Sequence, residues 1–186
     1  MNRSIVIDHL NDKFPSNDVG VAYFYFDYKD NVTQEPSKVV AGLLKQLLCR
    51  LDAWPREIEK AYATSLKTGS ELNYNELLDL LIAVSSHFST VYVLIDALDE
   101  VEWEHQPAFL SLIQHLSESS IKTLVTSRPH LEICHEFEMS GLSITISAND
   151  LDIRQYLSVR LNKRKHLASG LKKKIVETLS INADGM

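Results

Sequence analysis

Val91-Tyr-Val-Leu-Ile-Asp-Ala-Leu-Asp-Glu100 is the stretch that decides the fold. Its first five residues are β-branched, aromatic or Leu and do not alternate with polar ones, the pattern of a strand buried on both faces in a parallel sheet. The run ends in an acid, so such a strand delivers Asp96 to its carboxyl end. Upstream, Asn73-Tyr-Asn-Glu76 has capping-box spacing and opens a helix marked by Leu77, Leu78, Leu81, Ile82 and Phe88. Downstream, a helix is expected over 107–116 and a second strand over 121–126, stopped by Ser127-Arg-Pro129.

The same alternation continues outward. Val21-Ala-Tyr-Phe-Tyr-Phe-Asp-Tyr28 is a short apolar and aromatic strand. Pro36, at a favoured first-turn position, opens a helix whose Val39, Leu43, Leu47 and Leu51 recur every four residues beside Val40, Leu44 and Leu48. Pro55 opens a shorter helix carrying Ile58, Tyr62 and Leu66 and ended by Gly69. Residues 1–13 read as the tail of an amphipathic helix, with Ile5, Val6 and Leu10 on one side and Asp8, Asn11 and Asp12 on the other. This helix has no N-cap and begins as if in mid-element. A further strand is expected over 142–147, and helices follow from the polar cap Asn149, carrying Ile153, Tyr156, Leu157 and Leu161 and then Leu171, Ile175 and Leu179.

Strands alternating with helices imply βαβ units and a mostly parallel sheet. The expected fold class is α/β, a three-layer α/β/α sandwich spanning 1–148, with a helical C-terminal extension over 149–186.

Composition narrows the function classes. The chain has 186 residues, 45% hydrophobic and 24% charged, as in ordinary globular domains. A net charge of -6 gives the whole chain no electrostatic reason to seek nucleic acid. No apolar run of roughly 18 residues is present to cross a membrane. The N-terminal apolar stretch is too short and too interrupted for a signal peptide. Cys49 and Cys134 sit in apolar-periodic surroundings without metal-ligand spacing, the pattern of buried free thiols in a reducing cytoplasm. The sequons at Asn2 and Asn31 then carry no glycan.

Asp96, Asp99 and Glu100 place three acids in five residues beyond a buried strand. In open α/β sheets, the carboxyl edge is where ligands bind. A cation among these acids would relieve their repulsion, and Mg²⁺ with phosphate suits such a site, being held by one or two carboxylates plus water and phosphate oxygens. Asp96 is the candidate metal residue, and Asp99 or Glu100 the candidate for polarising an attacking water. A solvated acidic turn after a strand is the plain alternative. Thr126-Ser-Arg-Pro129 follows about thirty residues later, again at the carboxyl end of a strand. Arg128 there can meet a γ-phosphate or pair with the neighbouring acids, or be a surface arginine in a turn.

Together these segments resemble a known family. The hhhhDALDE strand, the hxxhVTSRP segment, the preceding YFYFDY and a Leu-rich helix ending QLL are similar to the NACHT-type nucleotide-binding domain of STAND NTPases. The nearest variant is the nephrocystin-like N-terminal domain common in fungal proteins with ankyrin or similar repeats. Ile181-Asn-Ala-Asp-Gly-Met186 also resembles a segment of that family. The resemblance implies a switch binding Mg²⁺ with ATP or GTP. Asp96 matches its Walker B metal residue, Asp99 and Glu100 match the acidic extension, and Arg128, beside Ser127, matches the sensor arginine.

The departure is as informative. The family's phosphate-binding loop, GxxxxGK[ST], occurs nowhere in the chain, whose six glycines are isolated. That loop's backbone N–H groups cradle the phosphates and its Lys and Ser/Thr hold phosphate and Mg²⁺. The expectation is therefore a truncated P-loop domain lacking its first strand and phosphate loop, inactive by itself. By analogy the absent strand would lie between those of 142–147 and 121–126, which would then pair directly or leave a gap.

A non-catalytic interaction module is the competing expectation, with protein partners or self-association through helical surfaces. Nucleic acid is not an expected partner: Arg160–His166 and Lys172–Lys174 are basic but have no interleaved aromatics. His9, His87, His105, His115, His130, His135 and His166 share no metal-site spacing. Asp27 either joins the acidic site or caps a loop.

Overall fold

The computed structural model describes residues 5–15, 18–29, 34–129, 142–147, 149–164 and 166–182. Two compact units divide the chain, residues 1–139 and 140–186. The first unit holds helix α1 (Ile5–Lys13), strand β1 (Val19–Tyr25), helices α2 (Pro36–Leu48), α3 (Arg56–Thr68) and α4 (Tyr74–Ser85), strand β2 (Thr90–Asp96), a 3-10 turn (Leu98–Glu100), helix α5 (Gln106–Glu118) and strand β3 (Lys122–Val125). The second holds helices α6 (Asp150–Asn162) and α7 (Ser169–Asn182).

The strands form one parallel sheet in the order β1-β2-β3. Val19 pairs with Thr90 and Tyr25 with Asp96 across one edge of β2, and Tyr92 with Lys122 and Ile95 with Val125 across the other. The unbroken apolar run of β2 thus follows from its central position. One sheet face carries Ala22, Val91, Val93 and Ile95 into a single core with residues of α2, α4 and α5. Val19, Val21 and Leu94 on the opposite face pack with Ile7 of α1. The architecture is mixed α/β with helices on both faces of the sheet, as the pattern predicts.

Local signals account for most boundaries. Pro36 occupies the first turn of α2, whose Val39, Val40, Leu43, Leu44 and Leu47 are buried. Gly69, with φ of 68, ends α3 in the left-handed region that glycine tolerates. At α4, the Asn73 side chain accepts from the Glu76 N–H at 3.1 Å while Glu76 accepts from the Asn73 N–H at 2.8 Å, a complete capping box. Asn149 caps α6 by accepting the Asp152 N–H at 2.9 Å. Burial pushes the Tyr74 phenol pKa up from its ordinary value.

Several expectations are corrected. In α1 the buried residue is Ile7, with Leu10, Asn11 and Phe14 on the same flank, while Ile5 and Val6 are exposed. Packing against Val19, Val21 and Leu94 selects this face, and Asn11 is drawn inward by the Arg50 guanidinium, which donates to its side-chain oxygen. β1 begins two residues earlier than expected and ends at Tyr25, where its partner strand ends at Asp96. Of the α3 residues only Ile58 is buried; Tyr62 and Leu66 are exposed, Tyr62 lying edge-on to Trp54. Cys49 is exposed rather than buried, because it follows the last turn of α2 on the side away from the core.

The strand expected over 142–147 does not form. Leu142, Ile144 and Ile146 alternate as in a strand, yet are 92%, 73% and 90% exposed. An extended segment becomes a strand only when a neighbour satisfies its N–H and C=O groups. Cys134, His130, His135, Asn2, Asn31 and the Ala183–Met186 ending lie outside the described residues.

One sheet edge is closed by side chains. The Gln46 amide of α2 accepts from the Tyr23 N–H at 3.1 Å and donates to the Tyr23 carbonyl at 2.9 Å, in the manner of a neighbouring strand. Arg50 donates to the Val19 carbonyl at 3.3 Å. Such capping blunts an edge that would otherwise template further pairing.

Two substitutions test this packing by urea denaturation. Gln46→Leu keeps the bulk of the side chain but strands the Tyr23 N–H and C=O, and is expected to lower stability by about 1–3 kcal/mol. Gly20→Ala places a Cβ 2.9 Å from Leu47 and 3.1 Å from Val91 in the core, and is expected to lower it by about 1–3 kcal/mol. Gly42→Ala is the control: its Cβ meets nothing within 4 Å inside α2, so stability should rise by up to about 1 kcal/mol.

Candidate functional site

The site is built where β2 and β3 end side by side. Ile95 is the last β2 residue paired with β3, opposite Val125, so the next residues, Asp96 and Thr126, stand together at the carboxyl edge. The Thr126 N–H continues the ladder to the Ile95 carbonyl at 2.9 Å. Its hydroxyl donates to Asp96 Oδ1. Asp96 is half-buried.

The chain then turns sharply. Ala97 adopts φ 59 and ψ 49, a left-handed conformation uncommon for a residue bearing a Cβ. Its N–H donates to Thr126 Oγ1 at 3.1 Å, and the Leu98 N–H donates to the Thr126 carbonyl at 2.9 Å. Leu98 is fully buried and anchors the 3-10 turn in the core. The turn carries Asp99 and Glu100 back toward the β3 end.

There they meet Arg128. Asp99 Oδ1 accepts the Arg128 backbone N–H at 2.9 Å, and Asp99 Oδ2 lies 3.6 Å from Arg128 Nε. Glu100 Oε1 lies 3.9 Å from an Arg128 terminal nitrogen, and its Oε2 accepts the Tyr28 N–H at 3.2 Å. Glu100 thereby ties the loop after β1 to the turn after β2. The Arg128 side chain is 82% exposed while that of Asp99 is 12% exposed, so solvent screens the ion pairs and the backbone hydrogen bond is the firmer tie.

Four of the five sequence-predicted residues therefore converge on one edge: Asp96, Asp99, Glu100 and Arg128. The Ser127 hydroxyl instead donates to the Arg128 carbonyl at 2.8 Å. Asp27 caps its own loop: its carboxylate accepts the Lys29 N–H at 3.0 Å and its carbonyl accepts from Gln34. Thr126 is the member that sequence reading missed. The signal for it was the parallel adjacency of the two strands, which places their terminal residues side by side.

Asp96 and Thr126 also form the polar end of a narrow cleft on the α1 face, lined by Ile7, Tyr23, Tyr25 and Leu124. Among the described residues no three His, Cys, Asp or Glu side chains converge as a metal cage. What the site offers a hard cation is the Asp96 carboxylate, which suits Mg²⁺, an ion that commonly keeps most of its ligands from water and phosphate. A phosphate cradle is a different matter, because no GxxxxGK[ST] sequence is present to build one.

The family model described as "Nephrocystin 3, N-terminal" matches residues 2–128. The match takes in the whole sheet and ends on Arg128. No curated protein matches the chain. No described helix is long and apolar enough to cross a membrane.

The unequal ties to Arg128 are measurable. Asp99→Ala removes the acceptor of a backbone N–H and is expected to cost about 1 kcal/mol in chemical denaturation. Arg128→Ala keeps that N–H and removes screened ion pairs alone, so its cost should stay below about 0.5 kcal/mol and shrink further in salt.

Proposed function

The chain belongs to the nephrocystin 3 N-terminal family, and from that premise we propose that it forms the metal- and γ-phosphate-facing part of a cytoplasmic nucleotide switch of the NACHT/STAND type. The observation that carries this reading is the placement of Asp96. A buried central strand delivers its carboxylate to the carboxyl edge, and the turn that follows pairs Asp99 and Glu100 with Arg128. Ligands of open α/β sheets bind at such edges.

Each residue has a role in this reading. Asp96 holds Mg²⁺, directly or through water. Asp99 or Glu100 accepts a hydrogen bond from the water that attacks a γ-phosphate. Arg128 faces the phosphate, and Ser127 lies beside it in the same loop. Mg²⁺ would supply charge neutralisation between phosphate oxygens. Arg128 now sits against Asp99 and Glu100, so its engagement with a phosphate frees those acids. One arginine thus serves either the acids or the nucleotide.

The fit to the two groups differs. Mg²⁺ finds a carboxylate of the right kind, whereas the phosphates of ATP or GTP lack their backbone N–H cradle in these 186 residues. By themselves these 186 residues are expected to bind the phosphates weakly. The second reading, a non-catalytic interaction module, is favoured by the apolar residues that α6 and α7 leave in solvent, Leu151, Tyr156, Leu171 and Ile181 among them.

Calorimetric titration of Mg·ATP and Mg·GTP separates the readings. The 186-residue chain should bind either nucleotide with a Kd no tighter than about 1 mM. The same chain preceded by a GxxxxGK[ST] strand-loop segment should bind at least tenfold more tightly, and Asp96→Asn should cancel that gain. An extended chain indifferent to Asp96→Asn would leave the interaction module as the function.

A further inference from the structure

Thr126 makes four hydrogen bonds to the four residues Ile95–Leu98. Two use its backbone: its N–H donates to the Ile95 carbonyl and its carbonyl accepts from the Leu98 N–H, both at 2.9 Å. Any residue other than proline can make these. The other two need a hydroxyl. Oγ1 accepts the Ala97 N–H at 3.1 Å and donates to Asp96 Oδ1. The direction of the second bond follows from chemistry, since an ionised carboxylate only accepts.

This arrangement addresses a specific weakness of a strand-end aspartate. Asp96 is half-buried, and its side chain has several staggered χ1 wells to choose from. Mg²⁺ demands near-octahedral geometry, so a carboxylate that wanders is a poor ligand. Thr126 engages Oδ1, and among the described residues Oδ2 makes no hydrogen bond. The same hydroxyl engages the N–H of left-handed Ala97, so the carboxylate and the turn that follows it are held by one atom.

We propose that Thr126 is the positioning residue of this site, fixing the Asp96 carboxylate through Oδ1 so that Oδ2 is presented to a divalent cation. The proposal rests on the nucleotide-switch reading for the identity of the cation, and on the hydrogen bonds alone for the positioning. Groups that orient a metal ligand from behind typically contribute 10–100-fold to metal affinity.

The experiment uses the full 186-residue chain, NMR, and Mn²⁺ alone as the probe. The variants are Thr126→Val, which keeps the β-branched shape and removes the hydroxyl, Thr126→Ser, which restores the hydroxyl, and Asp96→Asn. Two quantities are read: the Asp96 side-chain couplings that report its rotamer, and the Mn²⁺ concentration that half-broadens the Ala97 amide. The expected result is one fixed Asp96 rotamer in the parent and Thr126→Ser chains and an averaged one in Thr126→Val. Mn²⁺ affinity should fall about 10–100-fold in Thr126→Val, stay within about threefold in Thr126→Ser, and be lost in Asp96→Asn. Far-UV spectra and melting temperatures close to the parent's identify the loss as positional. An Asp96 rotamer unchanged by Thr126→Val overturns the proposal whatever the metal does, as does Mn²⁺ binding unchanged by Thr126→Val or not restored by Thr126→Ser. Mn²⁺ broadening that ignores Asp96→Asn overturns the metal reading instead, while the rotamer comparison still decides the positioning.

Discussion

A strand paired on both edges and covered on both faces has one place for a charged side chain, beyond its end. β2 is that strand. Its ladder to β1 and β3 satisfies its backbone, and its Val91, Val93, Leu94 and Ile95 are buried. A carboxylate within the run would face a desolvation penalty with no partner. Asp96 therefore marks the point where the sheet meets water, and parallel pairing brings the ends of the neighbouring strands to the same edge. The site follows from the sheet.

The two edges of the sheet are treated differently. β1 is flanked by α2, whose Gln46 and Arg50 satisfy backbone groups of Tyr23 and Val19. Gly20 lets this helix approach, since Leu47, Val91 and Phe88 occupy the space that a Cβ would need. The helix that buries one face of the sheet thus also closes its edge. On the other side β3 is short, and its Lys122 and Leu124 are exposed.

Charge at the carboxyl edge is balanced within the chain. Arg128 supplies a cation to Asp99 and Glu100. Asp96 is handled otherwise, by the neutral donor Thr126. The acids are thus divided into a pair held by a guanidinium and a single carboxylate whose second oxygen makes no hydrogen bond among the described residues. That division gives them different chemistry although they lie within five residues of sequence.

Sequence by itself determined the elements whose signals are local. The apolar run before Asp96 specifies a buried strand, Asn73 and Glu76 specify a helix start because their side chains reach only each other's backbone, and Gly69 specifies a helix end because a Cβ resists its left-handed backbone. These depend on neighbours within four residues, and the structure keeps them. Tertiary structure decided what depends on a distant partner. Which face of α1 is buried was settled by Val19, Val21 and Leu94, not by the pattern of Ile5, Val6 and Leu10. The alternation at Leu142, Ile144 and Ile146 is a valid strand pattern, but a strand exists only by pairing. Thr126 carries no mark of its role in the sequence, since its hydroxyl finds Asp96 across thirty residues of chain through the register of two parallel strands. Local propensity is written in the sequence, whereas pairing and facing belong to the assembled sheet.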